Sequence, residues 1–129
     1  MSDEAKEGTG RKAAILDWLQ QEDLLAFPET VKDEIGAALS VVQFGGKHPS
    51  AKPWRGEGPG VFEIVEDRRG DTYRAVYAVR FRNVVYVLHA FQKKSPSGIR
   101  TAKKDIDLIN RRLNEARLDY EVRYGGNKD

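Results

Sequence analysis

The sequence predicts an α+β fold, an antiparallel β-sheet of three or four strands packed on one face by helices, with a helix at the C-terminal end. Three observations lead there. Residues 61–94, VFEIVEDRRGDTYRAVYAVRFRNVVYVLHAFQKK, hold most of the β-branched and aromatic side chains, alternate in character and are broken twice by turn-like residues. The stretches on either side, 28–44 and 99–117, carry apolar residues at helical spacing. A chain of 129 residues can bury one real core, and no apolar run approaches the roughly 18 residues of a membrane span.

In chain order, residues 1–12 are polar and aperiodic and are expected to be a disordered tail ahead of a single domain over 13–124. Ala13 to Leu19 place Ala14, Ile15, Trp18 and Leu19 on one helical stripe, with a short first strand as the alternative over so few residues. A helix is expected from Pro28, whose missing N–H suits a first turn, to about Phe44, where Gly45-Gly46 end it. Its stripe is Val31, Ile35, Leu39 and Val42, with Ala38 beside them. Lys47 to Gly60 is rich in proline and glycine and reads as a long basic loop, with Trp54 packed as its pin. The strands are Val61–Glu66, Thr72–Phe81 and Val84–Gln92. After Ser95 to Gly98 a helix runs from Ile99 to about Arg117 on a stripe of Ile106, Ile109 and Leu113, extended by Ala102 and Ala116. Leu118 to Tyr124 either prolong it or add an edge strand.

The expected register follows from the turns. With Asp67 to Gly70 as a four-residue loop, Glu63 lies opposite Arg74; with Arg82-Asn83 as a two-residue turn, Val76 lies opposite His89 and Arg74 opposite Phe91. Alternation then puts Phe62, Ile64, Tyr73, Ala75, Tyr77, Val79, Phe81, Val84, Tyr86, Leu88 and Ala90 on a floor for the helices. The other face collects Glu63, Arg74, Arg80, His89 and Lys93 among Val65, Val76, Val85 and Phe91, and is expected to stay open.

Composition narrows the function. The net charge of +2 hides a division: residues 1–46 sum to −5, residues 47–104 to +8 and residues 105–129 to −1. A positive central region between acidic flanks suits a polyanion, although a solvated charged surface explains it equally. The lack of cysteine excludes a disulfide framework, a thiolate metal site and a cysteine nucleophile, and with no secretion signal it suits a reducing cytoplasm. Two histidines 41 residues apart make a poor metal ligand set, and no glycine-rich phosphate fingerprint or G-x-S-x-G elbow is present. Neither metal nor cofactor is expected.

What remains is a group of cations with one carboxylate and one imidazole: Lys52 and Arg55 from the loop, Glu63 and Arg74 from facing strands, Arg80, and His89, Lys93 and Lys94. Such a set suits cleavage of an RNA phosphodiester, which needs a base for the 2′-hydroxyl proton, positive charge at the phosphorane and an acid for the leaving 5′-oxygen. His89 titrates in the range for either proton transfer, and Glu63 serves as base or orients Arg74. Each residue also has a plainer role: Glu63 and Arg74 as a cross-strand ion pair, His89 as a packed histidine, Lys93 and Lys94 as strand-end solvation.

These residues fall in linked motifs: Lys52-Pro53-Trp54-Arg55-Gly56, Glu63-Ile64-Val65-Glu66, Gly70-Asp71-Thr72-Tyr73-Arg74-Ala75-Val76-Tyr77 and Leu88-His89-Ala90-Phe91-Gln92-Lys93-Lys94. Their order resembles the HigB-like, phage-derived branch of the RelE/ParE toxin superfamily, over about residues 24–116. The resemblance implies a RelE-like fold and a type II toxin that blocks translation by cutting mRNA, usually at the ribosome, without a cofactor. It also implies a helix-turn-helix antitoxin as partner. Arg74 matches the family's strand arginine and Lys93 and Lys94 its lysine pair; His89, Lys52 and Arg55 match less closely. Trp54 replaces the usual leucine, and Val65 stands where many wider-family members have arginine. A gyrase-directed toxin of the same fold and a non-catalytic module binding nucleic acid or antitoxin are the alternatives.

Overall fold

The computed structural model describes residues 13–15, 24–54, 60–82, 84–93 and 103–125. Its elements are β1 (Ala13–Ile15), α1 (Glu29–Gln43), β2 (Ala51–Pro53), β3 (Val61–Arg68), β4 (Asp71–Ala78), β5 (Val84–Lys93) and α2 (Lys103–Tyr124). Strands β2 to β5 form an antiparallel sheet, and β1 adds to its β5 edge in parallel, giving the order β1-β5-β4-β3-β2. The fold is α+β. The expected tail over residues 1–12 and the Ser95 to Gly98 break lie outside the described residues. Where a helical stripe is the first reading of Ala13 to Leu19, the described part is the alternative, a three-residue strand paired with Val84 to Tyr86. Such a short segment gains more from β5's free edge than from an isolated helical turn, whose nucleation is costly.

Helix α1 forms as its pattern dictates. Pro28 opens it, its carbonyl accepting from the N–H groups of Val31 and Lys32, each at 3.0 Å. Gly45 ends it at φ +91°, a left-handed conformation that favours glycine, while Gly46 N–H donates to the Val41 carbonyl and Gly45 N–H to that of Val42. The buried residues are Val31, Ile35, Ala38, Leu39 and Val42, the five of the predicted stripe. They pack on Ile64, Tyr73, Ala75, Tyr77, Val85, Val87 and Ala90 of the sheet, with Phe27 alongside.

The opposite face is not left open along its length. Ile109, Leu113 and Ala116 of α2 are buried against Val76, Ala78, Val84, Tyr86, Leu88 and Phe91, with Trp54, Val61 and Phe81 in the same cluster. The helix continues through Leu118 to Tyr124, while Ile106, expected in the stripe, sits at its exposed margin. Val84, Tyr86, Leu88 and Phe81 therefore belong to this second core and Val85 to the first, the reverse of strict alternation. In β5 a β-bulge is the cause: Val76 pairs with His89 but Tyr77 with Val87, leaving Leu88 as an extra residue, whereas Phe81 lies in the connection beyond the end of β4. One inserted residue exchanges the faces of everything beyond it. Arg112 of α2 donates to the Leu88 carbonyl at 3.0 Å, a polar tether at the irregularity.

The turns also differ from expectation in a way that preserves the faces. Arg69 and Gly70 alone make the β3–β4 turn, at φ 51° and 89°, because Asp67 pairs with Thr72 and Arg68 with Asp71. The register thus shifts by two, and Glu63 faces Val76 while Arg74 faces Val65. Between β4 and β5 the connection spans residues 79–83 rather than two residues, yet the bulge restores Arg74 opposite Phe91 and Val76 opposite His89. The long basic loop contains the edge strand β2, where Pro53 needs no ladder donor. Trp54 is buried as the pin, its N–H donating to the Val61 carbonyl at 2.9 Å.

Candidate functional site

The sheet face under α2 is divided. Its Val84 to Leu88 half is apolar and covered by Ile109, Leu113 and Ala116, whereas toward the β3–β4 turn the same face presents Glu63, Arg74 and, by register, Lys52. Lys52 is exposed in β2 with its backbone opposite Glu63. Glu63 and Arg74 are diagonal neighbours across β3 and β4, within reach of long side chains. The Arg74 Nη1 donates to Glu63 Oε1 at 2.7 Å, with the two side chains only 16% and 12% exposed. The two-residue slip leaves both on the expected face, because side-chain direction repeats every second residue.

This pair is charged, partly desolvated and incompletely satisfied. The Arg74 Nε is buried without a partner, so one donor of the guanidinium fork makes no compensating bond. Arg74 lies opposite Phe91, whose ring stacks on His89 with centroids 4.9 Å apart. His89 itself is 5% exposed, and its Nε2 lies 2.8 Å from Asp105 Oδ1 in the first turn of α2. Its Nδ1 is buried and unpartnered. A carboxylate accepts from a ring N–H and not from a bare ring nitrogen, so the neutral ring that satisfies this contact carries its proton on Nε2 and leaves Nδ1 as a bare acceptor.

The remaining candidates separate. Arg80 lies beyond the end of β4, exposed, on the wall of a cavity of about 450 Å³ that it shares with Arg111, Asn114 and Arg117 of α2. It is thus on the α2 side of the sheet but at the opposite end from the β3–β4 turn, roughly 20 Å along the strand direction from Arg74 at about 3.3 Å per residue. Lys93 is the last residue of β5, its backbone opposite Thr72; its side chain, and Arg55 and Lys94 altogether, lie outside the described residues. Among the described residues no three His, Cys, Asp or Glu side chains gather to hold a metal ion. No helix among them is long and apolar enough to cross a membrane.

Two carboxylates that matter are not singled out by sequence reasoning, Asp105 and Asp119. Asp105 is the acidic residue in the first turn of α2, a signal for a helix start. Nothing in the sequence tells that it meets His89. Asp119 accepts from the Tyr86 hydroxyl at 2.5 Å and from Arg123 Nε at 2.7 Å. Burial first, then this hydrogen bond and charge, push the Tyr86 hydroxyl well above the ordinary tyrosine range.

The family model described as "Phage derived protein Gp49-like (DUF891)" matches residues 22–114, from ahead of α1 into the middle of α2. No curated protein and no solved structure matches.

Proposed function

This chain belongs to the Gp49-like family of phage-derived proteins, and from that premise we propose that it is the toxin of a type II toxin-antitoxin pair. It inhibits translation by metal-independent cleavage of mRNA, at the ribosome, and is silenced by a helix-turn-helix antitoxin. The observation that carries this reading is the partly desolvated Glu63–Arg74 pair, with Lys52 beside it by register, on the charged half of the α2 face. A guanidinium in so restricted a setting binds a phosphate more strongly than one in open water, because less solvent screens it. Arg74 holds the scissile phosphate and balances the charge that develops at the phosphorane. Glu63, displaced from Arg74 by that phosphate, takes the 2′-hydroxyl proton; the 2′-oxygen bonds to phosphorus as the bond to the 5′-oxygen breaks, and that departing oxygen takes a proton from water. Lys93, Lys94, Lys52 and Arg55 supply further positive charge, and Arg80 contacts RNA outside this cluster.

Expression of the wild-type chain is expected to arrest growth and fragment mRNA, and Arg74→Ala to abolish both, with a loss of roughly 10²-fold or more in cleavage rate for one removed electrostatic donor. Equal growth and equal mRNA integrity with wild type and variant overturns the nuclease reading. A second reading, a non-catalytic module that binds nucleic acid or an antitoxin, is favoured by one observation: His89 has one nitrogen committed to Asp105 and the other buried. It predicts salt-dependent RNA binding with no cleaved product.

A further inference from the structure

The β3–β4 hairpin carries a second group of cations, apart from Glu63 and Arg74. Arg68, Arg69, Asp71 and Tyr73, with Pro28 and Thr30 at the start of α1, line a cavity of about 510 Å³. The hairpin's other carboxylates are engaged elsewhere: Glu63 with Arg74, Glu66 with the Ser50 hydroxyl at 2.9 Å, and Asp67 with the Thr72 hydroxyl at 2.8 Å. Asp71 shares the cavity wall, but among the described residues it forms no ion pair with either arginine. Two guanidinium groups thus border one cavity, and among the described residues none of these acids forms an ion pair with either of them.

Both are held there against a local penalty. Arg68 Nε is buried with no acceptor, so it has lost water without a replacement. Arg69 sits at φ 51°, a left-handed conformation that opposes any side chain with a Cβ and that glycine or asparagine would ordinarily fill in a two-residue turn. An anion in the cavity would offset both, because the guanidinium fork matches a phosphate bidentately.

We propose that this cavity is a phosphate subsite for single-stranded RNA, continuous with the strand that Arg74 holds. The inference rests on the nuclease reading above. Arg74 is three residues from Asp71 along β4, roughly 10 Å at about 3.3 Å per residue. Alternation from Ile64 places Arg68 on the α1 side of the hairpin, Arg74 is on the α2 side, and Arg69 sits at the tip between them. An RNA strand leaving Arg74 rounds the tip past Arg69 and seats its next phosphate groups against Arg68, with the Tyr73 ring, fixed edge-on against Phe27 at 4.9 Å, beneath.

The test measures binding of a 2′-O-methyl oligoribonucleotide, which has no 2′-hydroxyl to attack, across a salt series. Arg68→Ala and Arg69→Gly are each expected to weaken binding and to reduce the slope of log K against log salt by about 0.7 for every phosphate that is no longer neutralised. Arg82→Ala, an equal loss of charge in the connection at the other end of the sheet, leaves the slope unchanged. Arg69→Gly also raises the melting temperature, because it removes a strained Cβ while it weakens binding, a combination that a merely structural arginine does not give. Unchanged slopes for Arg68→Ala and Arg69→Gly, with binding weakened by Arg74→Ala, overturn the subsite and leave the nuclease site standing. If the wild-type chain does not bind the oligonucleotide, or Arg74→Ala binds it equally, the nuclease reading falls and the subsite with it.

Discussion

The two faces of the sheet are buried by different means. On one, α1 lays down five buried apolar side chains at regular helical spacing. On the other, α2 buries only three, Ile109, Leu113 and Ala116, and adds three polar tethers to β5: Asp105 to His89, Arg112 to the Leu88 carbonyl and Asp119 to the Tyr86 hydroxyl. Where a face is covered by apolar side chains, the covered part must itself be apolar. One covered partly through point contacts can keep a charged half, and that is where Glu63 and Arg74 sit.

The largest expected effects test whether both faces are true cores. Ile35 is 1% exposed under α1 and Ile109 is 0% exposed under α2, so each truncation to alanine is expected to cost about 2–5 kcal/mol in denaturant unfolding. If Ile109→Ala costs less than about 1 kcal/mol while Ile35→Ala costs the full amount, α2 rests on its tethers and the second core is not one.

Smaller effects are expected from the charged half. The Glu63–Arg74 hydrogen bond involves two ionised groups, and a double-mutant cycle through Glu63→Gln and Arg74→Ala should return a coupling of about 1–3 kcal/mol, reduced by the residual exposure of both side chains. The same variants sharpen the functional claim. If Glu63 acts as base, Glu63→Gln lowers the cleavage rate while RNA binding holds or tightens, since the phosphate no longer competes with a carboxylate for Arg74. If the pair is only structural, stability changes and the rate of the folded enzyme does not.

The difference between the faces also explains what could be read from the sequence. The α1 stripe was legible residue by residue, because helical periodicity records which side chains face a core. Glu63 and Arg74 came out on one face even though the turn between them is two residues and not four, since a slip of two restores side-chain direction. A slip of one does not, and the bulge at Leu88 inverted Val84 to Leu88 without any glycine or proline to mark it. The tethers were illegible for another reason: Asp105 and Asp119 meet residues 16 and 33 positions away, and such pairings arise only once the helix is docked. Arg80 was grouped with Arg74 by alternation along a strand predicted to reach Phe81, whereas β4 ends at Ala78.

The gentlest probe of the comparison is alkaline pH, because each face buries a tyrosine. Tyr77, under α1, is pushed up to about 12 by burial alone. Tyr86, under α2, is raised further, by burial and then by the Asp119 hydrogen bond and charge. A phenol whose pKa is higher folded than unfolded adds stability that is fully present below the unfolded value near 10 and is lost as pH rises through the folded value. Tyr77 therefore destabilises the fold progressively between about pH 10 and 12. For Tyr86 the loss begins at the same point and extends higher. Tyr77→Phe should flatten the first part of the decline seen by denaturant titration. Asp119→Asn removes the negative charge but keeps a hydrogen-bond acceptor, and so should bring the end of the Tyr86 decline to lower pH without changing that of Tyr77. Identical profiles for Asp119→Asn and the wild type would mean that Asp119 does not tether Tyr86, and α2 would then hold its face much as α1 does.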